Sequence, residues 1–330
     1  MIINTVTFFI IVMLILTNAI TDAPNAISTI VGTKTMKFKN AAYLSAAFNF
    51  FGTFTMSFIS ISVANCISSM VKFENGTNAM IGVATAMCSV IIFSLIAMWV
   101  GIPTSETHGL IAGLTGSTIA LYGIEAINFQ EWKNVIIGLV WSILGTYIIT
   151  KIVVKVSQKY IEIIKENLIK KYQIIGCCAM SFIHGAQDGQ KFIGILIIFF
   201  SIINNYGIEE AINPLENIWI IIFVSILMSI GISIGGRRIV ENIGSSMAKI
   251  TNRQGLITDI STFITLFVAS ITGLPVSTTH VKSLSIIGVA KSYNSQINKI
   301  KVRNIIKAWI CTFPICGVIS YVITKITTSM

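Results

Sequence analysis

Apolar runs recur along the chain, most of them close to the roughly 20 residues that a helix needs to cross a bilayer. They fall at about 5–31, 41–71, 79–100, 102–123, 134–156, 174–203, 216–236, 256–273, 274–292 and 304–325. The fourth and ninth are weak as spans: rich in Gly, Ser and Thr, they open on Pro103 and Pro275. Read as re-entrant hairpins or pairs of short helices, they raise the helix count from ten toward twelve. The pattern predicts an all-α polytopic membrane protein of about 10–12 transmembrane helices.

Composition narrows the class further. Of the 330 residues 54% are hydrophobic and only 11% charged, where a soluble protein carries about 25% charged residues. The net charge of +10 comes without a compact basic motif interleaved with aromatics, so nucleic acid is not an expected partner; basic loops on the cytoplasmic face account for it. The N-terminus Met1-Ile2-Ile3-Asn4-Thr5 has no positive n-region and no small-residue cleavage site, and reads as a retained first span. The six cysteines lie mostly in apolar segments at no metal-binding spacing.

Polar residues inside the runs carry the chemistry. Asp22 stands with Thr21, Asn18, Asn25 and the helix-breaking Pro24 directly after the apolar stretch Val6–Leu16. A charge at mid-depth costs roughly 2.5–3.5 kcal/mol by insertion measurements, so such residues are usually functional. Gly185-Ala186-Gln187-Asp188-Gly189-Gln190-Lys191 repeats the arrangement, and a second pair, Pro103–His108 and Pro275–His280, opens segments four and nine. The acids are 166 residues apart and the histidines 172, which implies two repeats, about 1–156 and 172–330, joined by a charged helical stretch at 157–171. Five segments per repeat is odd, so the second repeat is expected to enter the membrane inverted, an architecture of many secondary transporters. Placing both termini outside puts Lys34, Lys37, Lys39, Lys151, Lys155, Lys159, Lys165, Lys170, Lys171, Arg237, Arg238, Lys249, Arg253, Lys291, Lys299, Lys301, Arg303 and Lys307 inside, 18 of the 23 basic residues. Lys72, Lys133, Lys325 and the acidic loop with Glu209, Glu210 and Glu216 then fall outside, as the positive-inside rule requires.

Asp22, Thr21 and Asn25 offer oxygen donors, with carbonyls freed near Pro24, of the type that holds a hard cation; an Asp capping a helix at a kink is the plainer alternative. Lys191, three residues after Asp188, shares a helix face with it, for mutual neutralisation, for anion attraction, or for both. The Ser105/Thr107 and Ser277/Thr279 stretches put hydroxyls at helix N-termini, whose unpaired N–H groups suit a tetrahedral oxyanion; ordinary capping and packing is again the alternative. His108 and His280 read as neighbours of such a site. No nucleophile elbow, phosphate loop, ATP-binding domain or catalytic metal spacing occurs, so an enzyme is not expected and no cofactor is implied; an ion gradient would supply the energy.

These motifs resemble the inorganic phosphate transporter (PiT) family of cation-coupled phosphate symporters. That family's Gly-Ala-Asn-Asp element is matched closely by Gly185–Asp188 and loosely by Ala19–Ala26; its Pro-x-Ser-Thr-Thr-His element is matched fully by Pro275–His280 and, with Glu106 for a threonine, by Pro103–His108. The resemblance implies an inverted-repeat transporter of about twelve helices, a homodimer in lipid, moving phosphate with Na+ or H+. Carried over residue by residue, it puts the cation near Asp22, Asn25 and Asp188, with Thr21 beside them. Phosphate falls at Ser105, Thr107, Ser277, Thr278 and Thr279, with Gln187 nearby. Thr21 and Gln187 replace asparagines, and Asn49 stands where many relatives have a glutamate. Glu106, if it points inward, is an acceptor that favours phosphate over sulfate. The rival readings are a sulfate or other oxyanion symporter on the same scaffold, and an anion channel.

Overall fold

The computed structural model describes residues 2–204, 217–237, 240 and 247–329, and the described residues contain eleven helices and no strand. In order they are α1 (Ile2–Gly32), α2 (Phe38–Ile59), α3 (Ser62–Ser69), α4 (Thr77–Val100), α5 (Glu106–Tyr122), α6 (Phe129–Tyr160), α7 (Glu166–Asn204), α8 (Ile218–Ile234), α9 (Asn252–Thr272), α10 (Thr278–Ser292) and α11 (Lys299–Ser329). Six of them (α1, α4, α6, α7, α9 and α11) are long and apolar enough to cross a bilayer, and α2 with α3 makes a seventh span bent by 81°. The chain is a multi-pass membrane protein. Glu209, Glu210, Glu216 and Arg238, used above for the loop-charge argument, lie outside the described residues.

The two halves repeat the same local devices. Gly101 after α4 and Gly273 after α9 both take left-handed backbone (φ 77° and 74°), which glycine adopts without steric cost. Each turns the chain into a short extended stretch that starts the next helix at a serine cap. The N–H of Asn128 donates to the Met70 carbonyl (3.0 Å), and that of Asn298 to the Met247 carbonyl (2.9 Å). Each bond anchors the entry to the last helix of its half. The halves also exchange partners, α5 packing on α11 and α10 on α6.

Helix α7 is the hub: 89% of its apolar window is buried, against 28% for α11, so α7 is enclosed by the other helices and α11 lies on the outside of the bundle. The glycines around Asp188 let α2 lie directly against α7. A Cβ on Gly52 would sit 1.8 Å from the Phe182 carbonyl oxygen, and one on Gly185 would sit 2.3 Å from that of Asn49. Small residues at a helix crossing are the usual device for close approach in lipid. Overpacking of a tight contact costs about 1–3 kcal/mol, and here the obstacle is backbone that cannot rotate away. Gly52→Ala is therefore expected to lower the thermal unfolding midpoint of the detergent-solubilised protein, while Gly76→Ala, in open space but at φ 113°, should cost only its backbone strain.

Three expectations change. The acids do not sit where helices break: α1 runs unbroken through Pro24 and α7 through Asp188. The breaks lie at 102–105 and 274–277, ahead of α5 and α10, which are single helices of 17 and 15 residues and not hairpins. Glycine at 185 and 189 serves packing, and one proline removes one backbone donor without ending a helix packed on all sides. The charged stretch 157–171 is likewise not one helix. α6 stops at Tyr160, and Arg253 donates to the carbonyls of Ile161 (3.1 Å), Glu162 and Ile164 (2.6 Å), tying off its end before α7 starts at Glu166.

Candidate functional site

The site forms where α1 and α7 cross the N-termini of α5 and α10. On α1, Asp22 accepts from Thr279 Oγ1 at 3.2 Å and from Asn18 Nδ2 at 3.4 Å. Asn25, one turn on, donates to Thr278 Oγ1 (3.2 Å) and Thr279 Oγ1 (2.9 Å). On α7, Asp188 takes the Lys191 ammonium at 2.5 Å and accepts from Thr278 Oγ1 at 3.2 Å. Lys191 also donates to Thr107 Oγ1 (2.6 Å) and to the Val276 carbonyl (2.8 Å). The half-to-half equivalence is visible in the bonds: Asn25 reaches Thr279 as Lys191 reaches Thr107. All of these side chains are buried.

Ser105 and Ser277 cap α5 and α10, accepting from the backbone N–H of His108 and His280 at 3.3 Å each, and Ser105 donates to Ser277 Oγ at 2.9 Å. The two hydroxyl-rich helix starts therefore meet face to face. Beside them His108 packs edge-on against His280 (ring centroids 4.7 Å apart), and His280 lies against Trp309 (3.9 Å). Glu106 is buried and accepts from Ser94 Oγ (2.7 Å), Thr21 Oγ1 (3.2 Å) and Thr104 Oγ1 (3.4 Å). It lines a small cavity together with Asn18, Thr107, Asp188 and Lys191. The predicted site residues other than Gln187 thus gather at this meeting point, the His280 ring nitrogens without hydrogen-bond partners among the described residues. Gln187 instead donates to the Leu274 carbonyl (2.9 Å) and accepts from Ser270 Oγ (2.7 Å), bracing the turn before Pro275.

His184 was missed. One turn before Asp188, it places Nε2 3.1 Å from Asp188 Oδ2 and Nδ1 2.8 Å from Asn49 Oδ1. Asn49 donates its own amide to the Ser45 carbonyl at 2.9 Å, so its oxygen is the atom facing the ring. Nδ1 thus has a hydrogen-bond partner, while Nε2 lies close to the Asp188 carboxylate without hydrogen-bond geometry. The signal was an i, i+4 His–Asp pair inside an apolar run. Ligand atoms of Asp22, His184 and Asp188 lie within 4.8 Å of one another. Two carboxylates from different halves with the Thr278 and Thr279 hydroxyls make an oxygen set suited to a small hard cation; the histidine nitrogen suits it less and orients Asp188 instead.

A multi-pass helical protein that buries two acids, a lysine and paired hydroxyls where its halves meet has the build of a transporter for a small charged solute. The chain belongs to the Phosphate transporter family, whose profile it matches over residues 18–167 and again over 157–320; this is a family of transporters and not of enzymes. It is 31% identical over 314 residues to a "probable low-affinity inorganic phosphate transporter" of Bacillus subtilis (strain 168), covering 93% of this chain and 92% of that one. A protein of the same description from Rhizobium meliloti (strain 1021) is 29% identical over 313 residues, with 92% and 90% covered. The fold also matches a solved structure titled "The sodium-dependent phosphate transporter", with a TM-score of 0.84, 20% identity and full coverage of both chains.

Proposed function

We propose that the protein imports inorganic phosphate by symport with Na+ or H+, alternating access around the site where α1 and α7 meet α5 and α10. The observation that carries this reading is the convergence of Asp22 and Asp188 on the Thr278–Thr279 hydroxyls at the start of α10. With one ammonium, Lys191, against two carboxylates, the charge left over repels an anion unless a cation offsets it, so anion and cation binding are linked at one place. Phosphate is held by Ser105, Thr107, Ser277, Thr278 and Thr279 and drawn by Lys191, while Asp22, Asn25 and Asp188, with Thr21 nearby, serve the cation. The neighbouring cavity has about 10 Å³ of free space, roughly what a single water needs, so the oxyanion enters as the halves part and Lys191 releases Thr107. The repeats rock against each other as inverted units, both termini outside and the Lys34–Lys39 loop inside, in a homodimer in the cell membrane.

Sodium fits the oxygen donors, and the sodium dependence named for the solved relative supports it. A proton is the alternative coupling ion. Labelled phosphate uptake into proteoliposomes, with sodium and proton gradients imposed separately, tests both; accumulation under neither gradient sinks symport and leaves the anion channel. Sulfate competition in the same assay tests the anion. Phosphate carries a proton that Glu106 accepts and sulfate does not, and a site built to bond a substrate OH discriminates against an analogue that lacks it. Glu106→Gln is expected to reduce the preference for phosphate over sulfate by roughly ten-fold or more, read as the ratio of their inhibition constants.

A further inference from the structure

A second charged layer lies in the core beyond the acid cluster. Lys282 of α10 and Asp259 of α9 are both fully buried and joined as an ion pair. Thr29 of α1 donates to Asp259 Oδ1 at 2.7 Å, and Lys282 Nζ donates to Thr29 Oγ1 at 3.2 Å. The other carboxylate oxygen, Asp259 Oδ2, is buried with no hydrogen-bond partner. It faces α7, where a Cβ on Gly176 would lie 3.9 Å away. Just past the end of α1, Thr33 and Thr35 both donate to Gln173 Oε1, at 3.2 and 2.6 Å. At 1.5 Å per residue, Thr29 lies about 10 Å beyond Asp22 along the helix and Thr33 about 6 Å beyond that. The polar column thus leads from the acid cluster to the loop bearing Lys34, Lys37 and Lys39.

The opposite direction is closed by different chemistry. At the 172-residue offset of the histidines, Lys282 answers to Leu110 and Asp259 to Met87; at the 166-residue offset of the acids, Thr29 answers to Ile195. All three counterparts are buried members of one hydrophobic cluster, and Leu110 lines the cavity beside Glu106. We propose that Thr29, Asp259 and Lys282 form the cytoplasmic gate of the transport path, with Leu110, Met87 and Ile195 as its apolar outer counterpart. This rests on the transporter reading and orientation given above. Separating a dry ion pair exposes two bare charges, so the inner gate is held shut until water enters with the opening. The apolar outer gate closes by excluding water.

Cys177 is the natural reporter: buried, next to Gly176, with Sγ 3.9 Å from the Ala26 carbonyl. Cys316 is equally buried but lies on the other side, 3.4 Å from where a Cβ on Gly109 would be. N-ethylmaleimide labelling of the full chain in detergent, followed for each cysteine by peptide mass spectrometry, reads the gate without requiring transport. Failure of phosphate uptake therefore leaves this test standing. Lys282→Met is expected to speed Cys177 labelling by roughly ten-fold or more at an unchanged Cys316 rate, because Asp259 is left unpaired and the layer opens. Lys282→Met/Asp259→Leu, apolar like the outer gate, should return Cys177 to near its wild-type rate. An unchanged Cys177 rate overturns the proposal, and so does a parallel rise at Cys316, which marks general loosening. If Lys282→Met does not fold, Thr29→Val is measured in the same way; it should speed Cys177 alone by a smaller factor, and no change there overturns the gate.

Discussion

Asp188→Asn is expected to abolish gradient-driven phosphate uptake, and the loss should come with a fall in stability. The carboxylate holds the Lys191 ammonium at 2.5 Å and accepts from Thr278 at 3.2 Å. With a neutral amide at 188 the ammonium stays buried between α7 and the α9–α10 turn without its counter-ion. Breaking such a pair on one side costs about 3–5 kcal/mol, more than a well-packed neutral replacement of both partners. A single variant therefore confounds folding with mechanism. Asp188→Asn/Lys191→Met removes both charges together. Its thermal unfolding midpoint should recover most of the loss, while uptake in proteoliposomes should remain absent, because the cation has lost a ligand and the anion its attractor. Uptake regained along with stability would show that the pair is only a structural neutralisation and would take Asp188 out of the mechanism.

How much of this was legible follows from what each residue costs where it stands. Asp22 and Asp188 stood out because a charge in an apolar run has to be explained by the run itself, and the offset between them pointed to the pairing of halves. Ser105 and Ser277 were legible for the same reason, since short hydroxyl-rich stretches after a proline mark helix starts; their direct bond (2.9 Å) confirms that the two starts meet. Pro24 misled, because local chemistry predicts a break at proline. Tertiary packing overrides that tendency when every residue from Ala23 to Ile30 is buried among neighbours. Gln187 misled differently. The resemblance placed it near the phosphate hydroxyls, yet its amide bonds Leu274 and Ser270, because a motif position does not determine which neighbour a long side chain reaches. Lys282 and Asp259 met the same cost criterion as Asp22, but they lie in different segments with no echo in the first half, so their partnership became visible only in three dimensions.

Asp22→Asn is expected to free phosphate binding from its cation. Asp22 is buried, and among the described residues no lysine or arginine nitrogen forms a salt bridge with it. Its bonds come from neutral groups, Thr279 and Asn18. Asp188 differs, since Lys191 already balances it. Burying a carboxylate without a counter-charge costs several kcal/mol, and an anion brought alongside raises that cost, so in the proposed symport Asp22 is the acid whose charge the coupling ion offsets. An amide keeps the shape and can accept from only one of Thr279 and Asn18, its NH2 standing where the other oxygen was, and it removes the demand. Phosphate binding to the purified wild-type protein, followed by calorimetry, should tighten strongly when the coupling cation is added, whereas the variant should bind equally with and without it. In proteoliposomes the variant should equilibrate phosphate but no longer concentrate it against a gradient. If the variant keeps the wild-type cation dependence, the coupling ion is held elsewhere, and the His184–Asp188 pair becomes the site to test next.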